Sequence, residues 1–182
     1  MTAPPETLVF DTGPLRHFAV QGWLGVLHFL AGDRYVVIPE SVEDELRRQS
    51  HEVPALSQVL DAAWITVDRS TDLAYVLAFA EFEDRLVDDG RNTGECGVLA
   101  LGQVRGFELV LDDATPRQIA EEKGMRVTAT LPLLCKAIRE AKLTVPMVES
   151  LADDLISGEY FLPFGRGGFR QWALREGLIE YY

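Results

Sequence analysis

An α/β protein with a mostly parallel sheet and helices on both faces is the fold class this sequence predicts. Short β-rich runs alternate with longer stretches of helical periodicity. Several of those runs are continuously apolar, as strands covered on both faces are. Helix starts carry capping and proline signals. With 182 residues and a 47% hydrophobic composition, the chain can bury a substantial core and is expected to form one domain with a small appendage.

The first strand is TLVFD (7–11), ended by Asp11 and followed by a helical pattern over 14–30. YVVI (35–38) leads into PESVEDELRR, a helix over 40–49, and a further helical pattern covers 55–63. WITV (64–67) is the third strand, and helices over 72–87 and 94–105 follow, the second opened by NTGECGVLALG. FELVL (107–111) is the fourth strand, closed by Asp112 and Asp113. A helix over 116–123 follows, with Thr115 as its N-cap, Pro116 at the first helical position and Gln118 completing a capping box. MRVT (125–128) is the fifth strand and 131–141 its following helix. From about residue 144 the pattern changes to a helix over 146–156, the aromatic, glycine-rich EYFLPFGRGGF and a final short helix. The expected organisation is a core over 1–143 with a helical extension, 144–182, packed on it.

Composition narrows the function classes. The longest apolar run falls far short of the roughly 18 residues that span a bilayer, and MTAPPETLVF lacks a signal-peptide pattern, so no membrane association and a cytoplasmic location are expected. Cys96 and Cys135 have no metal-type spacing and read as reduced thiols. The formal net charge is −12, which repels nucleic-acid phosphate, although four of the 14 arginines (Arg139, Arg166, Arg170, Arg175) fall in the last 44 residues.

The acids stand in informative places. In open parallel sheets, ligands bind beyond the carboxyl ends of the strands, where strand order reverses, and Asp11 and the Asp112–Asp113 pair close two strands. Glu45 lies at i+3 from Val42 on or beside an inward helix face, whereas Glu40, Glu43 and Asp44 read as solvent-facing. Glu95 shares an inward stripe with Val98 and Leu99. Each has a structural explanation by itself. The aspartates can cap helices or turns, Glu95 can occupy the first turn of a helix capped by Thr93, and Glu45 can reach solvent by its flexible stem or pair with an arginine such as Arg48. One acidic cluster around divalent cations accounts for all of them together. Mg²⁺ and Mn²⁺ take oxygen ligands, and two such ions roughly 3.5 to 4 Å apart can activate water for attack on phosphorus. His17, His28 and His51 show no ligand spacing, and neither a GxSxG elbow nor a GxxxxGK loop is present.

The four segments resemble, in order, the four motifs of PIN domains: VFDTGPL, IPESVEDEL, TGECGVLAL and LVLDDATPRQIAEEKGMRVTATLPLL. The last, with its double aspartate, the Arg before Ile-Ala, the Gly before a short strand and the Thr-Leu entering the next helix, is similar to a subgroup related to the toxins of VapBC toxin-antitoxin pairs. The resemblance covers roughly 8–141 and implies a three-layer α/β/α sandwich with about five strands. It implies Asp11, Glu45, Glu95 and Asp112 as catalytic, metal-binding acids, with Asp113 a fifth ligand or supporting partner. Mg²⁺ or Mn²⁺ is the implied cofactor, RNA the substrate and a small antitoxin protein the partner. One departure is Gly97, where many relatives carry a second acid.

The leading expectation is a metal-dependent endoribonuclease of the toxin type, assembled as a homodimer, the commonest symmetric assembly. The main alternative is a PIN fold that binds RNA or protein with little turnover. A phosphatase using Asp11 as nucleophile is weaker, because Gly13 stands where its second acid belongs.

Overall fold

A computed structural model describes residues 6–86 and 92–180. Five parallel strands form one sheet in the order β3-β2-β1-β4-β5, with β1 Thr7–Phe10, β2 Tyr35–Pro39, β3 Ile65–Asp68, β4 Glu108–Val110 and β5 Val127–Thr128. The central strand β1 pairs with β2 through Leu8 opposite Val36 and with β4 through Val9 opposite Leu109. Leu8, Val9 and Phe10 have no exposed surface, so the continuous apolar run marks a strand covered on both faces.

After β1 the chain builds outward to β2 and β3, then returns to the opposite side of β1 for β4 and β5. The reversal places a crevice between the carboxyl ends of β1 and β4. Asp11 leaves the first and Asp112–Asp113 the second.

Ten α-helices among the described residues flank the sheet. The helical pattern of 14–30 is two helices, α1 Thr12–Val20 and α2 Leu24–Ala31. Gly22 turns the chain between them at φ 76°, a conformation that costs glycine nothing. Helix α3 is Glu40–Ser50. The stretch 55–63 is a short 3₁₀ turn, Pro54–Leu56, and the single-turn α4, Ser57–Leu60. Helix α5 is Leu73–Leu86, and the sequence expectation that it reaches residue 87 lies outside the described residues. Helix α6, Thr93–Arg105, is buried at Gly94 and from Cys96 through Gly102.

Helix α7 is Ala114–Glu122, preceded by Asp113 in extended conformation, so Thr115 is inside the helix and does not cap it. Pro116 is then the third helical residue. Its missing N–H is still one of the four that no helical carbonyl can serve, so the proline fits. Helix α8, Thr130–Arg139, follows β5.

Beyond residue 144 come α9, Val145–Ser157, and α10, Phe169–Arg175. The Thr144 hydroxyl accepts the Met147 amide at 3.4 Å and caps α9. Leu151, Leu155, Phe169 and Ala173 are buried in the same apolar cluster as the sheet residues. Cys96 and Cys135 are free and buried. No helix among the described residues is long and apolar enough to cross a membrane.

Candidate metal centre

Asp11, the residue after β1, is 3% exposed. Its Oδ1 is buried, and no donor among the described residues reaches it. A buried carboxylate oxygen without a donor is costly and marks a place where an additional group belongs. Glu95 on the first turn of α6 and Asp113 after β4 complete a group whose ligand oxygens lie within 4.8 Å of one another. Asp11 is buried, Glu95 half-buried and Asp113 exposed, so the cluster opens from the carboxyl end of the central strand to solvent.

Electrostatics follow from this crowding. Burial, then the charges of Glu95, Glu45 and Asp113, push the Asp11 carboxyl well above the ordinary range, while the Thr12 amide works in the opposite sense. Burial and the charges of Glu45 and Asp113 also raise Glu95. Carboxylates that resist ionisation together become stable when a cation joins them. All-oxygen donors suit a hard divalent ion such as Mg²⁺ or Mn²⁺, so the acidic cluster is compatible with a metal site.

Glu45 sits beside this group with its oxygens engaged. Thr12 Oγ1 donates to Oε2 at 2.6 Å, and Thr93 Oγ1 and the Gly94 N–H donate to Oε1 at 3.0 and 2.9 Å. The start of α6 is thereby pinned to α3, with a helix N-terminus directed at a carboxylate. Gly94 permits the approach, since a Cβ there would lie 2.7 Å from Glu45 Oε2. Thr93 serves Glu45 in this way, and Asn92, at φ 65°, precedes the helix as its N-terminal boundary residue. Arg48 donates to the Asp44 carbonyl at 3.3 Å. Glu43, which the helix pattern placed toward solvent, is buried and held by Arg47 and Arg69 at 2.8 and 2.6 Å, because β3 leads Arg69 back over α3.

Asp112 is also occupied. The Thr130 amide donates to Oδ1 and the Thr130 hydroxyl to Oδ2, both at 2.7 Å, and the Tyr160 hydroxyl donates to Oδ2. The side chain thus joins the end of β4 to the start of α8 and to the segment after α9. Arg117 fixes the same turn by donating to the carbonyls of Leu111 and Asp112 at 3.4 and 3.0 Å. Tyr160 leans on His17, with ring centroids 4.4 Å apart. Burial and the neighbouring Asp112 hold its hydroxyl far toward the protonated form, and burial with Arg16 lowers His17.

Of the five acids read from the sequence, Asp11, Glu95 and Asp113 offer ligand oxygens to one point, while Glu45 and Asp112 flank them with hydrogen-bonded oxygens. The sequence marked Thr93 only as a helix cap and Thr130 only as part of the fourth motif, and it gave Thr12 and Tyr160 no role of their own. Thr12 had a local signal, a hydroxyl directly after the strand-ending acid. Tyr160 had none, being 48 residues from its partner.

Gly97 has a packing reason. A Cβ there would run into Ser41 Oγ and lie 2.9 Å from Pro39, so α6 meets the β2–α3 junction too closely for an acid at this position.

A search of curated proteins found no match. Comparison with protein families matches residues 7–164 to DUF3368, described as a PIN domain. That span takes in all five strands, both strand-ending acids and the two helices that carry the glutamates, and the chain belongs to this PIN-domain family.

Proposed function

We propose that the protein is a metal-dependent endoribonuclease that hydrolyses RNA phosphodiester bonds with Mg²⁺ or Mn²⁺, and that it acts as the toxin of a toxin-antitoxin pair. PIN domains are generally nucleases, and family membership is the coarse ground for this reading. The observation that carries it is the buried, donorless Oδ1 of Asp11 among the carboxylates of Glu95 and Asp113.

Asp11, Glu95 and Asp113 would hold the cation. When bound, it would supply charge neutralisation at the phosphodiester and an acidified water as nucleophile. Glu45 would keep α6 docked so that Glu95 faces Asp11, and Asp112 would set the turn that presents Asp113. The net charge of −12 favours restraint by a small partner bearing positive charge, as an antitoxin would. In the competing reading, a binding module with little turnover, the hydrogen-bonded oxygens of Glu45 and Asp112 leave too few ligands for catalysis.

Purified protein and its Asp11→Asn variant, incubated with structured and single-stranded RNAs under Mg²⁺, Mn²⁺ or chelator, separate the two. Cleavage that requires metal and disappears in the variant supports the nuclease. RNA binding without cleavage under every condition supports the module.

A further inference from the structure

Asp11 and Asp113 also line a groove of about 980 Å³. Pro14, Leu131 and Pro132 line it as well, together with Phe161, Leu162 and Trp172 of the C-terminal segment. Phe161 is 91% exposed at its rim. Its neighbours in the chain are anchored, Tyr160 by its hydroxyl on Asp112 and Leu162 by burial in the core. The Phe161 ring is therefore held out on the same groove as Asp11 and Asp113 by two fixed residues.

Charge does not explain what this groove would attract. Asp112, Glu121 and Glu159 line it along with the cluster acids. Its cation, Arg117, has its guanidinium committed to two backbone carbonyls. Phosphate contacts, the usual source of nucleic-acid affinity, are thus scarce. Flat apolar faces are plentiful, and base stacking on aromatic rings is sequence-tolerant and independent of net charge.

Resting on the nuclease reading, we propose that the C-terminal aromatic rim is a base-binding subsite. Phe161 stacks on an unpaired nucleobase of the strand whose phosphodiester lies over Asp11, Glu95 and Asp113. The substrate is accordingly single-stranded at the cut, because bases inside a duplex present no free face. The extension adds the base contact that the acidic core lacks, and binding has a shallow dependence on salt.

A short single-stranded RNA carrying 2-aminopurine tests this, with fluorescence quenching read in Mg²⁺ and in chelator against a duplex of the same sequence. The single strand is expected to quench and the duplex not. Phe161→Ala should weaken binding about tenfold or more, and Phe161→Trp should retain it. The exposed position leaves folding of either variant intact, which circular dichroism checks. Absence of quenching on the wild type, equal binding of duplex and single strand, or unchanged binding by Phe161→Ala overturns the proposal, and the groove then suits an apolar segment of a protein. Phe161-dependent quenching without cleavage would sink the nuclease reading and keep the subsite. Metal-dependent cleavage with the same KM in Phe161→Ala would do the reverse.

Discussion

Asp11→Asn should raise the thermal stability of the metal-free protein and abolish its stabilisation by metal. Most substitutions of buried residues destabilise, so the sign is informative. Asp11 is 3% exposed, its Oδ1 has no donor, and two further carboxylates bring oxygens within 4.8 Å. Coulomb's law at that separation gives about 1 to 3.5 kcal/mol of repulsion per pair of charges, between the limits of water and a partly buried site. Asparagine keeps the shape and removes the charge, so after losing the Thr12 amide contact to the carboxylate a net gain of about 1 to 2 kcal/mol remains. For a chain of this size that is a rise of about 2 to 8 °C in Tm.

The pH dependence has a fixed sign. The folded-state pKa of Asp11 is raised above its unfolded value, so the wild type carries no penalty from this group at low pH. Its stability falls as pH rises through the unfolded value of about 3.9 toward the folded one. The advantage of the variant should therefore be small in acid and full in alkali. Wild-type protein with Mn²⁺ at 100 times its Kd should gain about 2.7 kcal/mol, or roughly 5 to 11 °C, and the variant almost nothing. Differential scanning fluorimetry across pH, with chelator or Mn²⁺, reads all of this. A lower Tm of the metal-free variant would contradict this, because Asp11 would then be stabilising the start of α1 as an ordinary cap.

Other substitutions probe the surrounding frame. Glu45→Ala strands the Thr12 and Thr93 hydroxyls and the Gly94 amide, and should cost about 1 to 3 kcal/mol in urea unfolding, with α6 amides near residue 95 losing hydrogen-exchange protection first. Gly97→Ala should lower the urea midpoint by about 1 to 3 kcal/mol of stability through overpacking against Pro39, and an unchanged midpoint would show that α6 can shift. Tyr160→Phe removes a donor to Asp112 and should cost about 1 kcal/mol, with weaker protection of the 158–164 amides. Burial raises the Cys96 thiol to about 12 and Cys135 to about 11, so neither should alkylate at pH 8 until the protein unfolds, and rapid native labelling would contradict their burial.

The layered fold, and the places where its acids could act, are legible in the amino-acid sequence. Strands buried on both faces must be apolar throughout, so TLVF and its counterparts were visible as such. A parallel sheet then fixes the end at which side chains can gather, which made Asp11 and the Asp112–Asp113 pair legible as candidates. Helix periodicity placed Glu45 and Glu95 inward, but it misjudged Glu43, whose partner Arg69 comes from another element.

Which acids keep open oxygens depends on contacts between distant parts of the chain. Glu45 is of the same residue type as Glu95 and Asp112 as Asp113, and nothing local separates an acid with open oxygens from one that accepts hydrogen bonds. The difference lies in Thr93 and Gly94, 48 and 49 residues beyond Glu45, and in Thr130 and Tyr160, 18 and 48 beyond Asp112. Gly97 is the same kind of case, empty in sequence and filled by Ser41 and Pro39 in space. A carboxylate's role is set by the donors that reach it, and those donors arrive through the folded chain.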